Sequence, residues 1–163
     1  MTDVLTPEQR RLNMSRIRGK DTKPEMIIRK GLHAAGLRFR LYAKDLPGRP
    51  DLIFPRYHAA IQVHGCFWHG HYCPMCRLPA TRQEFWSAKI AGNRERDQRT
   101  SAALLTAGWR LLTIWECSLR GPARRPAGEV LMLCNGFVRS EEQQDDIAGT
   151  WDTDIAQDRM PSA

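Results

Sequence analysis

Residues 50–73 read PDLIFPRYHAAIQVHGCFWHGHYC. The apolar run Leu52-Ile53-Phe54 lies between Pro50 and Pro55, and Pro55 to His58 has turn composition. Asp51–Phe54 and Ala59–His64 are therefore predicted as two successive strands joined by a tight turn, with the Asp51 carboxylate at the start of the first. The second strand ends in Gln62-Val63-His64 and opens into a loop. Between Gln62 and Cys73 stand three histidines, two cysteines and the adjacent pair Phe67-Trp68. That density of chemically capable side chains marks a site and not a core strand.

Outward from this stretch, the chain reads as alternating helices and strands. Thr22-Lys23-Pro24-Glu25 has the capping-box pattern, so a helix should start there, with Ile28, Leu32 and Ala35 at helical spacing and Gly36 as its left-handed stop. Leu37 to Tyr42 alternates apolar with basic residues, the period of a half-buried strand. Downstream, Thr81-Arg82-Gln83-Glu84 predicts a second capping box and a helix carrying Phe85, Trp86 and Ile90. Gly92-Asn93 is a candidate break, and Ala102, Leu104 and Leu105 continue the register to Gly108. Trp109 to Trp115 is a third strand leading directly to Glu116-Cys117, residues 121–128 are loop-like, and Glu129 to Arg139 is a last helix through Val130, Leu133, Phe137 and Val138. This order gives an α/β domain with a mixed central sheet flanked by helices. Residues 1–140 are expected to form a single domain, with 1–21 as a basic arm, short helix or frayed terminus. Residues 141–163 are acidic, poor in large apolar side chains and expected to be mobile.

At 163 residues the chain is long enough for a hydrophobic core without disulfide staples. No apolar run has the length of a membrane span, and the basic N-terminus lacks the apolar stretch of a secretory signal. A cytoplasmic protein with five reduced cysteines is the expectation. The net charge of +7 is unevenly spread, because seven acidic residues follow Ser140 against the single Arg159, leaving residues 1–140 at about +13. Such a field favours a polyanion, of which nucleic acid is the commonest.

Three groups of residues carry chemistry. Asp51 after Pro50, facing Gln62 and His64 on the returning strand, has the skeleton of the P-D...(D/E)-x-K motif of metal-dependent nucleases. Gln62 stands in place of the second carboxylate and His64 in place of the lysine, so a surface Asp in a Pro-Gly turn remains the competing reading. The cysteines allow two tetrahedral zinc sites. One uses the local Cys73-Pro74-Met75-Cys76 knuckle; the other uses Cys66, His71 and Cys73 with Cys117 from the end of the third strand. Phe67, Trp68 and Trp86 are either core residues or, in a basic protein, a wedge that enters a base stack.

Four motifs then become recognisable in order: P-G-R-P-D at Pro47 to Asp51, H-G-C-F-W-H-G-H-Y-C at His64 to Cys73, A-T-R-x-E-F-W at Ala80 to Trp86, and G-W-x-x-x-x-x-W-E-C at Gly108 to Cys117. Together they resemble the very-short-patch repair endonucleases, which nick DNA beside T:G mismatches left by deamination of 5-methylcytosine. The similarity runs from about Met14 to Arg120. It implies a restriction-endonuclease-like fold with one structural zinc site. It also implies catalytic Mg²⁺ held by Asp51 and the Val63 carbonyl, His69 activating the attacking water, His64 in support, and Glu25 contacting the metals through water. Zn²⁺ would sit on Cys66, His71, Cys73 and Cys117, leaving Cys76 out, and Phe67, Trp68 and Trp86 would form the wedge. The implied partner is double-stranded DNA with a T:G mismatch, with other mismatch-repair proteins and a cytosine methyltransferase acting nearby and the enzyme itself a monomer. Two other classes stay open: a restriction endonuclease cutting a matched site, and a zinc-stabilised DNA-binding module without catalysis.

Overall fold

In the computed structural model, residues 5–16 and 19–151 are described. Thr22 caps helix α2 (Lys23–Ala34) by accepting from the Glu25 N–H, as its motif predicts, and Gly36 follows at φ +91°. The Glu25 carboxylate does not close the predicted box; it is engaged by Arg29 instead. A reciprocal box appears one helix earlier, at the start of α1 (Pro7–Arg16): Thr6 Oγ1 accepts from the Gln9 N–H while Gln9 Oε1 accepts from the Thr6 N–H. α1 buries no residue.

The strands are β1 (Arg40–Leu41), β2 (Leu52–Phe54), β3 (Ala59–His64), β4 (Arg110–Trp115) and β5 (Gln144–Ile147), and they form one sheet in chain order. β1, β2 and β3 are antiparallel neighbours, whereas β3–β4 and β4–β5 are parallel, so the sheet is mixed. α3 (Gln83–Thr106) makes the β3-to-β4 crossover and α4 (Ala127–Arg139) the β4-to-β5 crossover. Helices α2 and α4 cover one face, where Ile28, Leu32, Leu52, Phe54, Ile61, Leu112, Ile114, Val130 and Phe137 form the main core. Gly31 allows the two helices to approach, since a Cβ there would lie 2.4 Å from the Leu131 side chain. α3 lies on the other face, where its Leu104 packs with Ala60 and Leu111 of the sheet. The strict alternation along β3 thus sends Ile61 to one layer and Ala60, Gln62 and His64 toward the other.

Several expectations change. Of the alternating stretch 37–42, only Arg40–Leu41 pairs. Thr81 is not the cap of α3; Arg82 holds that position in left-handed conformation (φ 55°) without a side-chain cap, and the helix runs through Gly92-Asn93 without a break. The mobile tail expected from Glu141 is corrected over its first part: Gln144–Ile147 adds to β4 as the fifth strand, and only Ile147 of the four is buried. One apolar anchor and a parallel ladder suffice there, so composition misleads. Residues from Asp152 onward lie outside the described residues, as do residues 1–4 and 17–18 of the expected basic arm. Among the described residues, no helix is long and apolar enough to cross a membrane.

Arg110, at the start of β4, is only 8% exposed and faces no carboxylate among its hydrogen-bond partners. Its guanidinium donates to the carbonyls of Phe137 and Val138 in the last turn of α4, and to those of Glu142 and Tyr57. A cation at a helix C-terminus satisfies carbonyls that have no helical partner and complements the helix dipole. Arg110→Met should therefore lower unfolding free energy by about 3 kcal/mol in denaturant titration, because the carbonyls of Val138, Tyr57 and Glu142 lose this donor while that of Phe137 keeps Ser140; a change no larger than that of Arg38→Met, at an exposed position, would contradict this role.

Candidate active site and metal centre

At the antiparallel end of the sheet, Asp51 precedes β2, and its Oδ2 accepts the Val63 N–H of β3 at 2.7 Å. This bond ties the carboxylate to the strand that leads into the His/Cys loop. Burial pushes the Asp51 carboxyl up to about 6, with the Val63 N–H opposing the shift and the neighbouring Glu25 charge adding to it. Glu25, from the first turn of α2, is 2% exposed and pairs with Arg29 at 2.8 Å. Gln62 donates to Thr113 Oγ1 on β4 at 3.1 Å, so the position of a second motif carboxylate is occupied by a cross-strand hydrogen bond.

At the C-terminal end of β3, His64 stacks on His69 with centroids 3.7 Å apart and planes 5° from parallel. His69 Nδ1 lies 2.6 Å from Asp97 Oδ2 on α3. Burial, with His69 beside it, lowers His64 to about 3, so His64 is neutral at physiological pH. An Nδ1–H donated to Asp97 leaves the His69 Nε2 lone pair free to accept a proton, the geometry of a carboxylate-oriented histidine. The nitrogen and oxygen atoms of His64, His69 and Asp97 lie within 4.8 Å of one another, but parallel stacked imidazoles direct their lone pairs side by side and not toward one ion. The orienting hydrogen bond therefore explains this trio better than a metal does. An open cavity of about 660 Å³ reaches His64, His69 and Asp97 along the α3 face.

Sequence reading missed Asp97. Its signal was helical spacing: Trp86, Lys89, Asn93 and Asp97 follow one another along the α3 face that meets the loop. Asn93 donates to the Trp68 carbonyl at 2.9 Å, and the Lys89 ammonium lies 5.6 Å from the Trp68 ring centroid.

The second cluster is formed by Cys66, His71, Cys73 and Cys117, whose ligand atoms all fall within 4.8 Å. Cys117 sits on the 3₁₀ turn Glu116–Ser118 that ends β4. Its N–H approaches Cys66 Sγ at 3.3 Å, and the Gly149 N–H reaches Cys117 Sγ at 3.2 Å. His71 is held face to face by Trp115, 4.0 Å between centroids. Of the two sequence readings, the structure brings together the set that includes Cys117; Cys76 packs beside the group without joining it.

Phe67, Trp68 and Trp86 meet edge to face, with centroids 5.1 to 6.0 Å apart, and exposed Phe85 extends the group. None of the four belongs to the buried apolar clusters. Lys89 stands over Trp68, Trp86 and Phe85, and Arg82 over Phe85, so this aromatic surface is fringed with positive charge.

A mixed sheet with a buried acid before one strand, and a histidine hydrogen-bonded to a carboxylate in the loop that leaves the neighbouring strand, is an arrangement suited to nuclease chemistry in a strongly basic chain. Residues 2–75 match the family described as DNA mismatch endonuclease Vsr. The chain is 53% identical over 119 residues to the type II nicking enzyme V.XorIIP of Xanthomonas oryzae pv. oryzae, covering 73% of this chain and 88% of the relative. It is 46% identical over 121 residues to the DNA mismatch endonuclease Vsr of Escherichia coli, covering 74% and 78%. To the type II nicking enzyme V.NmeAIP of Neisseria meningitidis it is 38% identical over 123 residues, covering 76% and 88%. The chain belongs to the Vsr family of DNA mismatch endonucleases, whose fold is restriction-endonuclease-like, and it is a DNA endonuclease.

The raised Asp51 carboxyl has a thermodynamic consequence. Between about pH 4, where an unfolded aspartate titrates, and its folded value of about 6, the folded chain holds the extra proton. Stability therefore falls as pH rises through that window. In metal-free buffer Asp51→Asn should melt above the wild type at pH 7.5, and the difference should shrink as pH falls through 6 toward 4; thermal melting across that range checks it.

Proposed function

We propose that this chain nicks one strand of double-stranded DNA beside T:G mismatches arising from 5-methylcytosine deamination, the reaction of very-short-patch repair. The observation that carries the reading is the pair made by His69, in the loop that leaves β3, with Asp97 of α3, beside the strand whose Val63 N–H fixes Asp51. That two relatives are named as nicking enzymes supports cleavage of a single strand.

The donor sets fit two different cations. Asp51, the Val63 carbonyl and Glu25 through water offer only oxygen, which suits Mg²⁺, while three thiols and an imidazole suit Zn²⁺. Bound at Asp51, Mg²⁺ would neutralise charge on the phosphate and the departing oxygen. Asp51 would be held for that task by the Val63 N–H. His69 would accept the proton of the attacking water at Nε2 while Asp97 keeps its ring oriented, and neutral His64 would brace that ring by stacking without adding positive charge. Phe67, Trp68 and Trp86 would enter the step opened at the wobble pair, where stacking is weakest, and the basic surface would hold the flanking phosphates. The Cys66, His71, Cys73 and Cys117 site would clip the loop carrying His69 and the aromatics to the end of β4. Double-stranded DNA with a T:G mismatch is then the partner of a cytoplasmic monomer, with other mismatch-repair proteins and a cytosine methyltransferase acting nearby.

A nicking assay on T:G and matched duplexes tests this reading. Cleavage should be confined to one strand of the T:G duplex and vanish in Asp51→Ala. Ala at Phe67, Trp68 or Trp86 should weaken T:G binding by about 1 to 3 kcal/mol, the scale of base–aromatic stacking, with matched-DNA affinity and melting nearly unchanged. Double-strand cleavage of a matched site, or aromatic variants that melt early and lose both affinities together, would count against it.

For the metal clip, Cys117→Ser should lower both zinc content and melting temperature, whereas Cys76→Ser should change neither. Metal analysis alongside melting checks this, and equal zinc loss in both variants would contradict the ligand set.

A further inference from the structure

We propose that Tyr42 is a positioning residue for the Glu25–Asp51 acid pair, fixing the geometry in which the two carboxylates meet a divalent cation; this rests on the metal-site reading given above. Tyr42 follows β1 with φ +49°, a left-handed backbone that a tyrosine adopts only against its steric preference. Such positions persist where surrounding contacts hold them, and they concentrate at functional sites. Here the contacts run to both acids. The Tyr42 N–H donates to the Asp51 carbonyl at 3.2 Å, anchoring the residue to the start of β2. The same residue sends its hydroxyl back to α2, where it contacts Glu25 Oε1 and Arg29 Nη2.

The hydroxyl has one proton and two acceptors within reach, Glu25 Oε1 and Asp21 Oδ1, the latter at 3.1 Å. Its oxygen also accepts from Arg29 Nη2 and from the Asp21 N–H at 3.2 Å. Asp21 is 55% exposed and solvated, whereas the Glu25 side chain is 3% exposed, so the proton is needed most by Glu25. Tyr42 and Arg29 both bond Oε1, which leaves Oε2 as the oxygen for a water or a cation. One residue thus spans the gap, its backbone bonded to the start of the strand carrying one acid and its hydroxyl to the acid on the helix. Without the hydroxyl, Arg29 would still balance the charge of Glu25, but a single guanidinium contact leaves the carboxylate free to turn.

Tyr42→Phe isolates this role. It keeps the backbone bond to Asp51 and the ring that lies 4.6 Å from Lys20 Nζ and 5.2 Å from the Arg29 guanidinium, and removes only the hydroxyl. Mn²⁺ binding to the DNA-free full chain, followed by electron paramagnetic resonance, should weaken about tenfold, the lower end of the effect expected on losing a hydrogen-bond partner of a metal-site carboxylate. The Mg²⁺ concentration for half-maximal nicking should rise by a similar factor, while T:G duplex affinity and the nicking rate at saturating Mg²⁺ stay close to wild type and melting temperature falls only modestly, since Arg29 still pairs with Glu25. Unchanged Mn²⁺ affinity in Tyr42→Phe would overturn the proposal, as would a fall in melting temperature that accompanies equal losses in metal and DNA binding. Asp51→Ala separates the two levels: if it retains Mn²⁺ binding and nicking, the metal-site reading itself is wrong, and if it loses both while Tyr42→Phe loses neither, only the role of Tyr42 is wrong.

Discussion

In the parallel pairing of β3 with β4, Ala59 opposes Arg110 and His64 opposes Trp115, so the two strands end level. Everything chemical at this edge follows from that register. The loop leaving His64 and the turn leaving Trp115 emerge side by side, which is why Cys117 arrives among Cys66, His71 and Cys73 although it is distant in sequence. Parallel strands require a crossover, and here the crossover is α3. The helix that makes the register possible also supplies Asp97 to His69, Asn93 to the Trp68 carbonyl and Trp86 to the aromatic cluster. A shift of the register by one residue would turn His64 and Gln62 toward the α2–α4 core and carry Cys117 away from its partners.

The charged groups inside this frame divide into two kinds. Arg110 and Arg29 are compensated: the first by four carbonyls, the second by Asp21 and Glu25. Asp51 and His64 are compensated by less than burial costs them, the first chiefly by the Val63 N–H, and burial moves both toward their neutral forms. An acid that resists ionisation and lies near a second acid is destabilising in the free protein and suited to a cation that favours the charged form. The same logic suits a neutral His64 stacked on the base, since a second imidazolium there would oppose proton uptake at His69. Fold stability is concentrated in the layer between α2, α4 and the sheet, while the side of α3 and the loop carries the polar and aromatic work.

Much of this was legible in residues whose local chemistry permits one arrangement. Thr22 and Gly36 bound a helix because a cap oxygen and a left-handed glycine act over a few residues. Asp51 after Pro50, and the His/Cys density of residues 64–73, announced a site because such side chains seldom gather for packing. Residue types and spacing, however, left the cysteines with two closures and the aromatics with two fates, and it was the family resemblance that implied Cys117 over Cys76 and the wedge over the core. The sheet register supplies the physical reason Cys117 can reach the cluster, and Phe67, Trp68 and Trp86 stand outside the buried clusters. Gln144–Ile147 reads as an acidic tail because its strand is held by main-chain bonds to β4, which composition does not encode. Asp97 and Tyr42 look like ordinary surface residues in one dimension. Their partners, His69 and Glu25, stand 28 and 17 positions away, and hydrogen bonds over such distances exist only once the sheet and its crossover helix have fixed where each backbone runs.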